Sequence, residues 1–596
     1  MDAATRQSAI RVDKHVAVPM RDGVELSTDV HRPEASEPVP AVLLRVPYDK
    51  EMSVAGGDIA KFVAAGYAVV AQDTRGRYRS GGTFNPFFDE PADGEDAVAW
   101  VAEQAWCNGD VAMAGASYNG ATQWMAAARN TPALKAIAPN ITSGSYFEGW
   151  SYQGGAFELG FLLCWAVGFL GLPEVAAKLA RGEATTDDYG RIVGSLDGLA
   201  ELYRRLPLTD VPELRDVAPY YFDWLAHPTY DDFWKQTAPR ERYDRVVVPA
   251  LNIGGWYDLF LGGTLANFRG IRERGGSEAA RSGSRLIIGP WSHGVAGGEF
   301  AETRFGFMAN ALVADLVGRQ IKFFDRHVKG IDNGLDDEPL VRIFVMGGGG
   351  WRSEADWPLP DTRFTPYYLH SGGRANTADG DGVLLTDTPS GGRFDVYLYD
   401  PRDPVPTVGG QTFLPGLHIG ANAGPRDQRD VERRRDVLCY TTPPLGRDTE
   451  VTGPIELVLH ASSSAVDTDF TGKLVDVHPD GRAIILTEGI LRARYRESTA
   501  EPRLLEPEKV YELRIDLWAT ANVFRAGHRI RLEVSSSNFP RFDRNTNTGG
   551  TIAEEGEDTM LPAVNRIFHH AGHPSHVLLP VIDRPTARMS GRSDAA

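Results

Sequence analysis

The stretch "VAMAGASYNGATQW" (Val111–Trp124) decides how this chain is read. A short apolar run leads to Ser117, and the residues after it have the small and apolar character of a helix packed closely on a sheet. The pattern is Gly115-x-Ser117-x-x-Gly120, with Asn119 where a strict G-x-S-x-G would place its second glycine. With 64 glycines in 596 residues, such flanking arises by chance at about the one per cent level for a given serine. Ser117 is thus either a nucleophile on a sharp turn or a small residue in a tight bend, and its surroundings must decide.

The first 140 residues alternate strand and helix patterns. "AVLLRVPY" (Ala41–Tyr48) and "YAVVAQDTRG" (Tyr67–Gly76) are apolar runs ending in polar loops, as buried parallel strands do. "DGEDAVAWVAEQ" (Asp93–Gln104) carries acidic residues in its first turn and apolar residues at helical spacing. Ser117 therefore falls where a strand turns into a helix, the setting a nucleophile elbow needs. From about Ser145 to Arg240 the pattern becomes helical and aromatic, which predicts an insertion between sheet strands. Strands resume with "RVVVPALNIGGWYD" (Arg245–Asp258) and "SRLIIGPWSH" (Ser284–His293), and a helix is expected around Leu312–Val328. After roughly Trp357 short alternating runs separated by Pro, Gly and Asp predict a β-sandwich of jelly-roll type.

In an open α/β sheet, reactive groups collect at the carboxyl ends of the strands. Three such ends carry Ser117, Asp258 and His293, in the chain order found in α/β-hydrolases. A serine hydroxyl needs a neighbouring imidazole to take its proton, and the imidazole needs a carboxylate to hold its tautomer. Each residue alone has an ordinary structural reading: a bend serine, a helix-capping aspartate, an isolated histidine. An acyl-transfer site also needs donors for the oxyanion. The Tyr118 backbone N–H supplies one by elbow geometry. The usual glycine loop is absent, and "RVPYDK" (Arg45–Lys50) stands in its place. Tyr48 is then a second donor or merely packs at the sheet edge, and spacing alone does not separate the two.

Composition sets the outer bounds. The length implies two or three domains, and 42% hydrophobic with 24% charged residues is ordinary for a water-soluble chain. Net charge is −18 (62 basic against 80 acidic residues), which disfavours nucleic acid and anionic membrane surfaces. No apolar run reaches the roughly eighteen residues of a membrane span; Phe157–Leu172 reads instead as a buried or site-lining helix. The N-terminus lacks the apolar core of a secretory signal. Cys107, Cys164 and Cys439 form neither a disulfide framework nor a zinc set, so a reduced, cytoplasmic setting is expected. "GGGG" (Gly347–Gly350) reads as a turn, and "DTDF" (Asp467–Phe470) lacks the ligand spacing of a calcium loop.

Longer motifs carry a resemblance. "RDGVELSTDVHRP", "RVPYDK", "QDTRGRYRSGG", "QAWCNGDVAMAGASYNGATQW", "GWYDLF", "GPWSH", "FFDRHVKG", "SSSAVDTDFTGKLVDVHPDGRA" and "SSSNFPRFDRN" resemble the bacterial cocaine esterase family. That family is allied to X-Pro dipeptidyl-peptidases and α-amino-acid ester hydrolases, and the resemblance covers about Val12 to Pro580. It implies an α/β-hydrolase domain (1–144 and 241–354), a helical insertion (145–240) and a C-terminal jelly-roll β-sandwich (355–596). It also implies Ser117 as nucleophile, Asp258 as acid and His293 as base, with the Tyr48 hydroxyl and Tyr118 N–H as oxyanion donors. The family's aromatic acyl pocket matches Trp150, Trp165 and Phe260, with Phe413 a looser match; read from sequence alone, these aromatics are equally plain core. Leu172–Pro219 departs from the family pattern, and that segment helps wall the pocket.

The function expected is a serine carboxylesterase for esters with a benzoyl-like or other hydrophobic acyl group, needing no cofactor and no metal. The expected partner is a small-molecule ester, with no nucleic acid, no membrane, and a homodimer left open. An α-amino-acid ester hydrolase or X-Pro dipeptidyl-peptidase is the alternative; it needs carboxylates for the substrate ammonium. Glu158, Asp187 and Asp188 lie in the insertion, where acidic residues are expected to face solvent. An inert hydrolase fold that binds carbohydrate is the alternative of another class.

Overall fold

The computed structural model describes residues 10–55, 58–391, 393–413 and 422–584. Its first sheet uses β1 (Ile10–Pro19), β2 (Glu25–Pro33), β3 (Val39–Val46), β4 (Ala68–Asp73), β5 (Cys107–Ala116) and β6 (Leu134–Asn140). A small separate hairpin follows, β7 (Tyr152–Gln153) and β8 (Ala156–Phe157); the sheet resumes with β9 (Leu251–Tyr257), β10 (Arg285–Ser292), β11 (Val341–Val345) and β12 (Gly350–Glu354). The strand order is β1-β2-β4-β3-β5-β6-β9-β10-β11-β12. Neighbours from β4 through β3, β5, β6, β9 and β10 to β11 are parallel, and the outer pairs are antiparallel. Every residue of β4, β9 and β10 is buried, which is why these strands read as nearly unbroken apolar runs. The four-glycine run forms the turn between β11 and β12.

Between Asn140 and Leu251 the chain leaves the sheet and builds mainly helices. Their core is aromatic: Phe147, Trp150, Tyr152, Phe157, Trp165, Tyr221, Trp224 and Trp234 are all buried. The apolar run at its centre is longer than its sequence suggests. Helix Leu159–Cys164 continues through a π-helical turn (Trp165–Gly171) into helix Leu172–Arg181. Pro173 falls in the first turn of that last segment, where a missing N–H is tolerated, so it does not break the run. The resulting helix, Leu159–Arg181, has the length and hydropathy of a membrane span, yet 67% of its apolar window is buried inside the protein. That burial marks a core helix.

The remaining strands, from Thr362–His370 to His576–Ile582, form a second, 12-stranded hydrogen-bonded network. Thr449–Ser463 is its spine, pairing with Tyr511–Phe524, Ala563–His570 and His576–Ile582. The two sheets share one core, in which Trp256, Leu261 and Ile343 pack with Leu457, Leu517 and Trp518. Backbone bonds Met346 N–H to Ala521 (2.8 Å) and Val523 N–H to Met346 (3.1 Å) stitch them together.

Buried charge ties the insertion to the second sheet. Arg541 is 1% exposed and donates to Glu488 (2.6 Å), Gln153 (2.9 Å) and Glu158 (3.4 Å). Arg492 bridges Asp469 and Asp543, and Asp543 in turn accepts the Phe157 N–H at 2.9 Å. Asp467 and Asp469 of the "DTDF" stretch are thus held by Arg494, Arg492 and Asn545. Burial pushes the Glu158 carboxyl up to about 7. Replacing Arg541 by Met strands two carboxylates without their cation. Arg541→Met is therefore expected to cost about 3–5 kcal/mol in urea unfolding. The loss should be smaller at about pH 5.5 than at about pH 8, because protonation removes the buried charge.

Candidate active site

Four strand ends converge. Tyr48 follows β3, Ser117 follows β5, Asp258 follows β9 and His293 follows β10. Ser117 has φ 59° and ψ −123°, a left-handed conformation that a side chain rarely adopts. The sequence pattern now has a steric reason. A Cβ on Gly115 would lie 2.6 Å from the Asn119 Cβ, and one on Gly120 would lie 2.7 Å from Thr142 Cγ2. Gly120 thus provides the close helix approach, and Asn119 fits because Gly115 yields the space. Gln123 staples the elbow, donating to the Gly115 and Asn119 carbonyls (3.0 and 2.9 Å) and accepting the Ala138 N–H (3.0 Å).

His293 Nε2 lies 3.0 Å from Ser117 Oγ, and His293 Nδ1 lies 2.9 Å from Asp258 Oδ2. Asp258 is wholly buried, and its other oxygen accepts the Phe260 N–H at 2.7 Å. The carboxylate is therefore fixed on both sides. A proton on Nδ1 donates to Asp258, which leaves Nε2 as an acceptor for the serine hydroxyl. Tyr118 opens the helix Tyr118–Ala127, so its N–H is one of the first-turn donors with no intrahelical partner. Its ring is anchored below by the phenol, which donates to Glu90 (3.1 Å) and accepts the Phe87 N–H (2.9 Å).

The Tyr48 hydroxyl accepts a hydrogen bond from the Trp165 indole N–H at 2.9 Å. Its own proton stays free to donate, and it lies within reach of Ser117. Burial holds this phenol well above its ordinary range, so it stays protonated as a donor must. Trp165, on the π-helical turn, also stacks on Trp224 (5.4 Å) and Phe161 (5.7 Å). Trp150 stacks on Phe260 at 4.1 Å, and Phe260 meets the His293 ring edge-on at 5.1 Å. Phe413, from the strand-rich half of the chain, meets His293 at 5.6 Å and Phe169 at 5.8 Å. Of the four aromatics named from sequence, Phe260 and Phe413 meet His293, Trp150 stacks on Phe260, and Trp165 packs on Trp150.

The acidic residues of the insertion behave differently. Asp187 is exposed, and Asp188 closes a capping box with Thr185. Glu158, expected to face solvent, is buried because Arg541 pairs with it from far along the chain. Among the described residues, two groups could hold a metal by proximity, Asp476/His478/His528 and His15/Asp29/Glu51; neither includes Ser117, Asp258 or His293. Sequence reading missed the Trp165–Tyr48 bond and Arg77, whose buried guanidinium donates to the Pro47, Leu170 and Phe169 carbonyls. The arginine lies in the quoted motif "QDTRGRYRSGG", which was the available signal.

Residues 22–295 match the X-Pro dipeptidyl-peptidase (S15 family), and residues 333–578 match the X-Pro dipeptidyl-peptidase C-terminal non-catalytic domain. The chain is 45% identical to cocaine esterase of Rhodococcus sp. (strain MB1 Bresler), over 96% of this chain and 99% of that protein. Among solved structures, an aminopeptidase from the marine sediment archaeon Thaumarchaeota archaeon superposes with TM-score 0.80 at 26% identity. An α-amino-acid ester hydrolase superposes with TM-score 0.75 at 25% identity, and both likenesses cover 98% of each chain. The resemblance read from the sequence motifs holds, and the chain belongs to the family of serine hydrolases that unites cocaine esterase with the S15 X-Pro dipeptidyl-peptidases.

Proposed function

We propose that this serine hydrolase is a carboxylesterase for esters with an aromatic or hydrophobic acyl group, acting through an acyl-enzyme on Ser117. The observation that carries the reading is the aromatic cluster beside His293: Phe260 and Phe413 meet its ring, Trp150 stacks on Phe260, and Trp165 packs on Trp150. Such walls bury an aryl acyl group through area and edge contacts and offer it no charge. In the first step Ser117 Oγ bonds the ester carbonyl carbon while its proton passes to His293 Nε2. Negative charge collects on the carbonyl oxygen, which accepts from the Tyr48 hydroxyl and the Tyr118 N–H. The carbon–oxygen bond to the alcohol breaks, and the alcohol leaves with the proton from His293. Water then repeats the sequence, giving its proton to His293 and releasing the acid.

An amino-acid ester or X-Pro substrate brings an ammonium that needs a free carboxylate. Glu158 is engaged by Arg541 and Asp188 by its helix cap, so neither supports that alternative. We read the strand-rich half as a jelly roll that walls the site through Phe413 and stabilises the hydrolase unit. The three units run 1–144 with 241–354, 145–240 and 355–596. Three buried, unpaired cysteines support a reduced, cytoplasmic setting.

Steady-state comparison of a benzoate ester with an acetate, an amino-acid ester and an X-Pro amide tests the substrate class. The benzoate should show the highest kcat/KM, and an ester of alanine outrunning it would overturn the reading. Ser117→Ala should lower turnover by a factor on the order of 10⁶ with the fold intact by circular dichroism. Tyr48→Phe should lower kcat by about 10²–10³ with little change in KM, since its bond strengthens only as charge develops.

A further inference from the structure

Arg77 is 3% exposed. Its Nε donates to the Pro47 carbonyl at 2.9 Å, its Nη1 to Leu170 at 3.1 Å and its Nη2 to Phe169 at 3.3 Å. Its guanidinium lies 5.1 Å from the Phe84 ring and 5.5 Å from the Tyr78 ring. No carboxylate among the described residues forms an ion pair with it. A buried cation left without a counter-charge is costly, so its retention calls for a reason beyond packing.

Its three acceptors supply one. Pro47 immediately precedes Tyr48, and its carbonyl belongs to the peptide group that enters that residue. Phe169 and Leu170 lie on the π-helical turn that begins at Trp165. The turn ends at Gly171, and the Phe169 and Leu170 carbonyls near its end are the ones that accept from the arginine. The Trp165 indole closes the ring by donating to the Tyr48 oxygen. Arg77 therefore grips both ends of the Trp165–Tyr48 hydrogen bond. Its field also reaches the Tyr48 hydroxyl, where it favours negative charge.

We propose that Arg77 is a positioning residue for the oxyanion site. By clamping the Pro47 carbonyl and the π-helical turn, it holds the Tyr48 hydroxyl and Trp165 indole in register. The proposal rests on Tyr48 being an oxyanion donor, and the experiment separates the two.

The test is a double-mutant cycle of Arg77→Met and Arg77→Lys with Tyr48→Phe, measuring kcat and KM on a benzoate ester. Inhibition by phenylboronic acid, whose tetrahedral adduct carries an anionic oxygen, is measured alongside. With Tyr48 present, Arg77→Met should lower kcat about 10–100-fold and weaken boronate inhibition in parallel, with KM nearly unchanged. Arg77→Lys keeps the charge and part of the clamp, so it should fall between, and it serves if the Met variant folds poorly. In the Tyr48→Phe background either substitution should change kcat by less than about 2-fold. An equal loss in both backgrounds, or unaltered kcat in Arg77→Met, overturns the positioning role while leaving Tyr48 as donor. Near-full turnover in Tyr48→Phe alone removes the oxyanion reading, and this proposal falls with it.

Discussion

The backbone of Ser117 is the constraint on which the site depends. At φ 59° and ψ −123° it costs conformational energy on the order of 1–3 kcal/mol. It is held by bonds on every side: Ser117 N–H to the Asn140 carbonyl at 2.9 Å, Gln123 across the turn, and the helix behind. In this conformation Oγ lies 3.0 Å from His293 Nε2. The small residues at 115 and 120 exist because a tighter turn brings β5, its helix and Thr142 into one another's space.

Around that elbow the protein spends buried polar groups rather than surface ones. Asp258, Glu90, Arg77 and Arg541 are all within a few per cent of full burial. Each is matched to fixed partners. The aromatic shell keeps the dielectric low. Trp165 joins the two, stacking within that shell and donating to the phenol oxygen.

The sequence disclosed what local chemistry determines. Apolar runs ending in polar loops put Tyr48, Ser117, Asp258 and His293 at strand ends, because buried parallel strands cannot hide their composition. The substitution of Asn119 for glycine was readable as a departure, although its steric partner, Gly115, needed coordinates. What lay beyond reach involved pairs distant in sequence. Nothing near Glu158 announces Arg541, so an acidic residue in a helical insertion looked solvent-facing. Likewise the apolar run reads as a helix over Phe157–Leu172, whereas a π-helical turn carries it on to Arg181. Arg77 is one of several arginines in its motif, and only the carbonyls it meets distinguish it.

The placement of Arg541 bears on how the molecule assembles. Its two carboxylates come from opposite halves of the chain, Glu158 from the helical insertion and Glu488 from the second sheet. Arg541 and Glu488 both belong to the strand half, so Glu158 of the insertion meets its cation only when the two halves come together. Docking of the insertion on the strands completes the burial of that carboxylate. Phe413, carried by the strand half, reaches the histidine only after that event. An assembly intermediate therefore has no finished pocket, and the chain gains the ability to turn over an ester in the same step that completes its fold.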